Sequence, residues 1–197
     1  IPEKVHEVVT AAIERMIRAI LVGADMTTAQ PLAGLSLEAR DARAADFIRN
    51  YRNTAAVEGG VTGAGGFLLA AADFPVLLGI KLKLLFDLAA IYGHDGAVFA
   101  ERLYILRIFE LAFSGADHRA QVFAALESWN AAEQPTSFEA FDWRKLQQEY
   151  RDYIDLAKLA QLLPVVGAPI GAVANWGLVG RLGQTAINAY RMRWLAG

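Results

Sequence analysis

Apolar residues recur at helical spacing along most of the chain. Val5, Val8, Val9, Ala12, Ile13, Met16, Ile17, Ile20 and Leu21 share one face, with Pro2 ahead and Gly23 behind, so residues 5–21 read as an amphipathic helix. Residues 24–36 carry Pro31 and Gly34 and read as a loop ending at Ser36, whose hydroxyl suits an N-cap. From there to about Ala56 the pattern is helical, with Arg40, Arg43, Arg49 and Arg52 expected outward. Val76–Tyr92 reads as another helix, and Gly93 stands where a left-handed residue closes helices. Asp95 is expected to start a helix over about 97–113. Ser114 with Asp117 has the capping-box spacing for a helix over about 115–131, and Thr136 with Glu139 repeats it for a long helix over about 137–163. In that long helix Lys145/Glu149 and Arg151/Asp155 are i,i+4 pairs on a solvated face. Residues 181–195 are helical as well. No long stretch alternates with period 2, which argues against sheet.

Two segments break the amphipathic pattern. Between Arg52 and Lys81 the only charged residues are Glu58 and Asp73, and Gly59, Gly60, Gly63, Gly65 and Gly66 crowd together. Leu159–Gly180 carries no charge and includes Pro164, Gly167, Pro169, Gly171, Gly177 and Gly180. Three placements are open: burial as a helical pair, insertion into a membrane surface, or a full span. Glu58 and Asp73 are costly in hydrocarbon. Basic residues flank both ends of each segment, so the asymmetry that orients a span is missing. Burial is favoured. Gly59/Gly63 and Gly167/Gly171 have the spacing that lets two backbones approach closely. The expected fold is all-α: a compact bundle of about seven helices with the two glycine-rich segments packed as a central hairpin.

Composition sharpens this reading. With Gly counted and Tyr left out, about 60% of the 197 residues are apolar, against roughly 45–50% in soluble domains, and the mean hydropathy is +0.28. Ala and Leu dominate, and both are strong helix formers. The net charge of −2 offers no basic field for nucleic acid. There is no Cys, hence no disulfide, thiolate metal site or cysteine nucleophile. The chain starts at Ile1 rather than Met and is read as part of a longer product; its first 21 residues carry too many charges for a signal peptide.

Little in the chain points to chemistry. The Gly60–Gly66 run lacks the Lys-Ser/Thr pair of a phosphate loop and follows a helix rather than a strand, so no nucleotide is expected. His6, His94 and His118 stand in no metal-binding spacing, and no metal or other cofactor is expected. Glu58 and Asp73 are the candidate acid–base pair, because burial in apolar sequence raises carboxyl pKa values. In one straight helix they would be about 22 Å apart, so they meet only if the glycine run folds back. The plainer reading makes each a helix cap or a partner of a buried Arg, and Asp73 just before Pro75 suits an N-cap. Asn175, the polar residue of the second apolar run, needs a partner, for which Glu58, Asp73, backbone exposed by Pro169 or Gly171, Arg181 and Tyr190 are candidates. Phe138, Phe141, Trp143, Tyr150 and Tyr153, with Trp176, Tyr190 and Trp194, read as core and cap packing or as an interfacial belt.

The string Glu58-Gly59-Gly60-Val61-Thr62-Gly63-Ala64-Gly65-Gly66-Phe67, then Ala72-Asp73-Phe74-Pro75 and Tyr92-Gly93, resembles the EcsC family. So do Leu163–Ala172 leading to Asn175, and the later Thr185-Ala186 and Tyr190-Arg191. These motifs divide the chain into residues 1–46, where the resemblance is slight, and an EcsC-like helical part over 47–197, within one compact unit. The family is named for a gene beside those of an ABC transporter, and the resemblance implies bacterial-type proteins without an established activity. Its glycines, with Asn175 and Tyr190, give the candidate binding set: Gly59, Gly63, Gly66, Gly167, Gly171, Asn175 and Tyr190.

The leading expectation is a non-catalytic protein, cytoplasmic and peripheral at the inner face of the cell membrane. It would contact lipid or a membrane-protein partner such as an ABC transporter, and self-association stays open. An apolar-ligand module with Glu58, Asp73 and Asn175 at a cavity mouth is the alternative. A hydrolase-type enzyme using Glu58 and Asp73 is the third reading.

Overall fold

The computed structural model describes residues 29–64, 66–134 and 167–197, with the single positions 11 and 15; for residues 59–75, 117 and 167–171 it describes the helical backbone alone. The described residues form five helices and no strand: α1 Leu37–Ala64, α2 Gly66–Ile91, α3 Phe99–Phe113, α4 Ala116–Glu127 and α5 Gly167–Leu195. The all-α class holds. The expected helices over 5–21 and 137–163, and the aromatics between 138 and 153, lie outside the described residues.

Where a helix boundary is set by local chemistry, it falls where the sequence puts it. Ser36 Oγ accepts the Ala39 N–H at 3.3 Å and opens α1. Gly93 adopts φ +90°, and the Gly93 and His94 N–H groups donate back to Ala90 and Ala89, the paired bonds of a Schellman closure for α2.

Elsewhere the expected boundaries shift. Helix α2 begins at Gly66 and continues through Pro75, so Asp73 is inside a helix and caps nothing. Ser114 does not open α4. Its hydroxyl donates to the Glu110 carbonyl at 2.6 Å and closes α3, and Gly115 takes the cap position without a side-chain bond. So short a connection keeps Ser114 within reach of the preceding turn. Asp95 accepts the Ala97 N–H at 2.8 Å in the turn before α3, whose cap position is Val98. From Gly167 on, the charge-free run and the C-terminal stretch are one helix, α5, with Pro169 tolerated in its first turn.

Helix α1 packs most extensively on α5, then on α2. Both pairs are antiparallel. Arg40 lies under Trp194, Ile48 against Gly183 and Arg52 against Gly180, so numbers rise along α1 as they fall along α5. Tyr92 donates to Asp41 and Tyr51 donates to Asp87 at 2.5 Å, which sets α2 the same way. The chain therefore folds back between Glu58 and Asp73, as a meeting of the two requires. Asp73's side chain lies outside the described residues, and with it any distance between them. The expected line at residue 46 falls inside α1.

The core is aliphatic and aromatic, drawn from α2, α3 and α5 with Ala44, Ile48 and Ala55 of α1, Val122 and Leu126 of α4, and Trp129. Arg40, expected outward, is buried in it. Its guanidinium donates to the carbonyls of Leu35 and Ile91, so it satisfies the last carbonyl of α2 while Trp194 covers it. Buried Glu110 is held by Arg107 and His118, each at 2.6 Å. Arg193 near the end of α5 forks onto both oxygens of Glu101 in α3 at 2.6 and 2.7 Å.

The close approach of α1 and α5 makes a paired prediction. A methyl group at Gly183 would stand 2.5 Å from Ile48 Cγ1, whereas one at Gly177 meets nothing within 4 Å. Ala is favoured over Gly in a helix by about 1 kcal/mol, and overpacking costs roughly 1–3 kcal/mol. Urea denaturation should show G177A more stable than the parent and G183A less stable. A G183A chain as stable as G177A would contradict the packing.

Candidate functional site

The candidate residues fall in two places along α5. Asn175 and Tyr190 lie on the same helix about 22 Å apart, so they belong to no common site.

The first place is the level of Asn175. It is buried, and its Oδ1 lies 3.5 Å from Lys81 Nζ. Lys81 comes from α2, is only 4% exposed, and has the Leu77 carbonyl as its other neighbour, also at 3.5 Å. These are long hydrogen bonds to neutral oxygens. Burial pushes the Lys81 amine down to about 8. The α1–α5 register places half-buried Glu58 within about one turn of the same level. An amide, an amine and a carboxylate thus come from three helices to one end of the bundle, inside otherwise apolar sequence. Gly59 and Gly63 are in α1, Gly66 starts α2, and Gly167 and Gly171 are in the first turns of α5. All five are helical, and what surrounds them lies outside the described residues.

The second place surrounds Tyr190, which is 1% exposed. Its ring stacks on Tyr92 at 5.1 Å and on His94 at 5.3 Å, and Tyr104 lies tilted against it at 5.4 Å. Each such contact contributes about 0.5–1.5 kcal/mol beyond burial. Tyr190 Oη is buried without a hydrogen-bond partner, and burial raises its pKa well above the ordinary value. Tyr104 donates to the Ala189 carbonyl at 2.9 Å. His94 Nδ1 is 3.4 Å from Glu101, and burial followed by the Arg193 charge lowers its pKa. Asp41 joins the two motif strings: it accepts from Tyr92 Oη and from Arg191 Nε, the latter at 2.8 Å. The pairs Tyr92-Gly93 and Tyr190-Arg191, far apart in sequence, therefore meet here.

Comparison with known proteins fits this convergence. The family model described as the EcsC protein family matches residues 1–195. The chain belongs to the EcsC family. It is 45% identical over 196 residues to "Protein EcsC" of Bacillus subtilis (strain 168), covering 99% of this chain and 81% of that one. It is 31% identical over 147 residues to "Uncharacterized protein YdbA" of the same organism, 74% of this chain and 54% of the relative. No solved structure matches it. The family match extends through residues 1–46, which carry few of the quoted motif residues.

In this EcsC-family chain Asn175 has a hydrogen bond to Lys81 of α2, a partner outside its own helix. Sequence reasoning passed over Lys81, His94, Glu101 and Arg193. Lys81 was treated as a flanking charge at the edge of an apolar segment, yet it falls on the helix face shared by buried Leu78, Leu82, Leu85 and Leu88. His94 follows the left-handed Gly93, which turns the chain so that its ring meets Tyr190. Among the described residues no group of His, Asp and Glu is arranged to hold a metal.

The buried amine gives a pH prediction. A folded Lys81 that releases its proton near 8, against 10.5 when unfolded, leaves the unfolded chain binding more protons between those values. Stability therefore rises with pH across that window. The difference corresponds to about 3 kcal/mol at neutral pH. Denaturation of the parent and of Lys81→Met at pH 7 and pH 10 should show the parent gaining on the variant as pH rises. Parallel pH dependences would contradict a buried amine.

Proposed function

We propose that this protein acts without catalysis at the inner face of the cell membrane, as a peripheral helical protein that sets the glycine-rich end of its bundle into the lipid surface. The observation that carries the reading is what that end exposes. Val57 of α1 is 68% exposed, Val173 of α5 69%, and Trp176 of α5 45%, with Val76 of α2 also exposed. All four lie in the charge-poor stretches of their helices.

Basic residues border the apolar tip. Arg52 of α1 stacks under Trp176, its guanidinium carbon 3.2 Å from the ring centroid, and donates from Nε to the Trp176 carbonyl at 3.2 Å. Arg181 and Arg49 lie at about the same level of the antiparallel pair and Lys83 lies on α2, Arg49 and Lys83 each paired with an acid of their own helix, Asp46 and Asp87. Apolar side chains beyond a Trp and a belt of cations suit a lipid interface, where Trp sits at headgroup depth and each Lys or Arg near an anionic surface contributes about 1 kcal/mol. Among the described residues no helix is long and apolar enough to cross a membrane. Partial insertion is the mode this geometry favours.

The glycine hairpin belongs to the same proposal. The antiparallel pairings of Ile48 with Gly183 and Arg52 with Gly180, continued along both helices, bring Gly59 level with Gly171 and Gly63 level with Gly167 to within about one turn. Such pairing would let α1 and α5 stay close up to the tip without large side chains between them.

Flotation with vesicles containing anionic lipid tests this. The parent should float, less so at high salt, and Val173→Glu and Trp176→Glu should each weaken binding by about tenfold, from the loss of one inserted apolar side chain. Both positions are exposed, so circular dichroism should be unchanged. Equal flotation of parent and both variants would overturn the reading, as would a parent that stays at the bottom.

A further inference from the structure

Away from the apolar tip, a groove of about 580 Å³ runs between α3, α4 and α5. This is within the range of pockets that bury a small ligand. Its walls are Leu111 of α3, Ala120 and Phe123 of α4, and Ala189 and Met192 of α5. Phe123 is left 47% exposed at its edge. The charged lining residues are both cationic, Arg119 and Arg181, and among the described residues no acid lines it. In a chain whose formal charge is −2 that local bias is not a consequence of overall composition.

Arg119 is fixed in place. Its Nη2 donates to the Ser114 carbonyl at 2.7 Å, and its Nε is buried with no acceptor. The nearby buried carboxylate, Glu110, is already bonded by Arg107 and His118. A buried guanidinium nitrogen lacking an acceptor is costly to leave so. The Thr185 hydroxyl in the groove wall donates to the Arg181 carbonyl at 2.9 Å within its own helix.

We infer that this groove binds a single-chain amphiphile with an anionic head, its alkyl chain along the Leu111–Phe123–Met192 walls and its carboxylate or phosphate beside Arg119. The apolar walls select the chain and the two guanidinium groups select the sign of the head. The groove shares Arg181 with the cationic border of the membrane-facing end, but its apolar walls and Arg119 lie away from the tip.

Calorimetric titration of the full chain tests the inference, using dodecanoate and dodecyl phosphate below their micelle concentrations and dodecyltrimethylammonium as the cationic control. Saturable one-site binding is expected for at least one anionic probe, with the cation weaker by about tenfold or more. The tighter of the two anionic probes names the head group. Ala120→Trp fills the groove and Phe123→Glu puts a like charge on its rim. Both positions are exposed, so the fold should survive, and each should weaken the anionic probes by about tenfold or more. Arg119→Gln should bring the anionic probes toward the cation's affinity. No saturable binding of either anion, equal binding of the cation, or parent-like affinity in both Ala120→Trp and Phe123→Glu would overturn it. Vesicle flotation of Ala120→Trp should match the parent, which keeps this site's failure distinct from that of the membrane reading.

Discussion

Helices α1 and α5 lie side by side because Gly180 and Gly183 leave room for Arg52 and Ile48. A β-carbon at either glycine would stand within 3 Å of its neighbour's side chain, so the interaxial distance is set by the absence of two methyl groups. Much else follows from that register. It brings Tyr190 and Arg191 to the level of Tyr92 and Asp41, and it leaves Val57, Val173 and Trp176 together at the opposite end. Dispersion across a close helix contact is weak per atom pair and large in sum, which makes this contact the one whose loss separates both ends of the bundle.

The two ends are built differently. Around Tyr190 the chain closes itself: rings stack, Arg193 forks onto Glu101, and Arg40 satisfies the Ile91 carbonyl beneath Trp194. Polar groups there are drawn from four segments of sequence, and most of them have a charged or carbonyl partner. At the glycine-rich end Lys81 of α2 and Asn175 of α5 meet in a long contact of 3.5 Å. A buried cation beside neutral oxygens is costly, which is what lowers the Lys81 pKa.

Much of the architecture was legible in the residues, and the reason is range. Ser36 caps α1 and Gly93 closes α2 because each acts on its own turn of helix, where neighbours in sequence are neighbours in space. The same reasoning failed at Ser114, whose hydroxyl had two helices within reach and bonded to the earlier one. It failed at Asp73, because a helix accommodates Pro75 at the loss of one backbone bond and need not start there. Arg40 was misread because charge was taken as a marker of the outer face, while the free carbonyl that draws it inward belongs to Ile91, 51 residues away. Of the candidate site, Asn175 was marked by its need for a partner; that the partner is Lys81 depended on how α2 and α5 face each other.

Sequence by itself determined that this chain is helical, where several of its helices begin and end, which stretches are too apolar to sit on an ordinary surface, and which family it belongs to. Those properties are encoded by the 3.6-residue period, by single capping residues and by contiguous strings. The tertiary structure alone decided that Tyr92 would stack on Tyr190, that Lys81 would be the cation beside Asn175, and that Arg119 and Arg181 would line one apolar groove. Each of those pairings joins residues on different helices. Register and rotation between helices come from the summed fit of many side chains, which no short stretch of sequence contains.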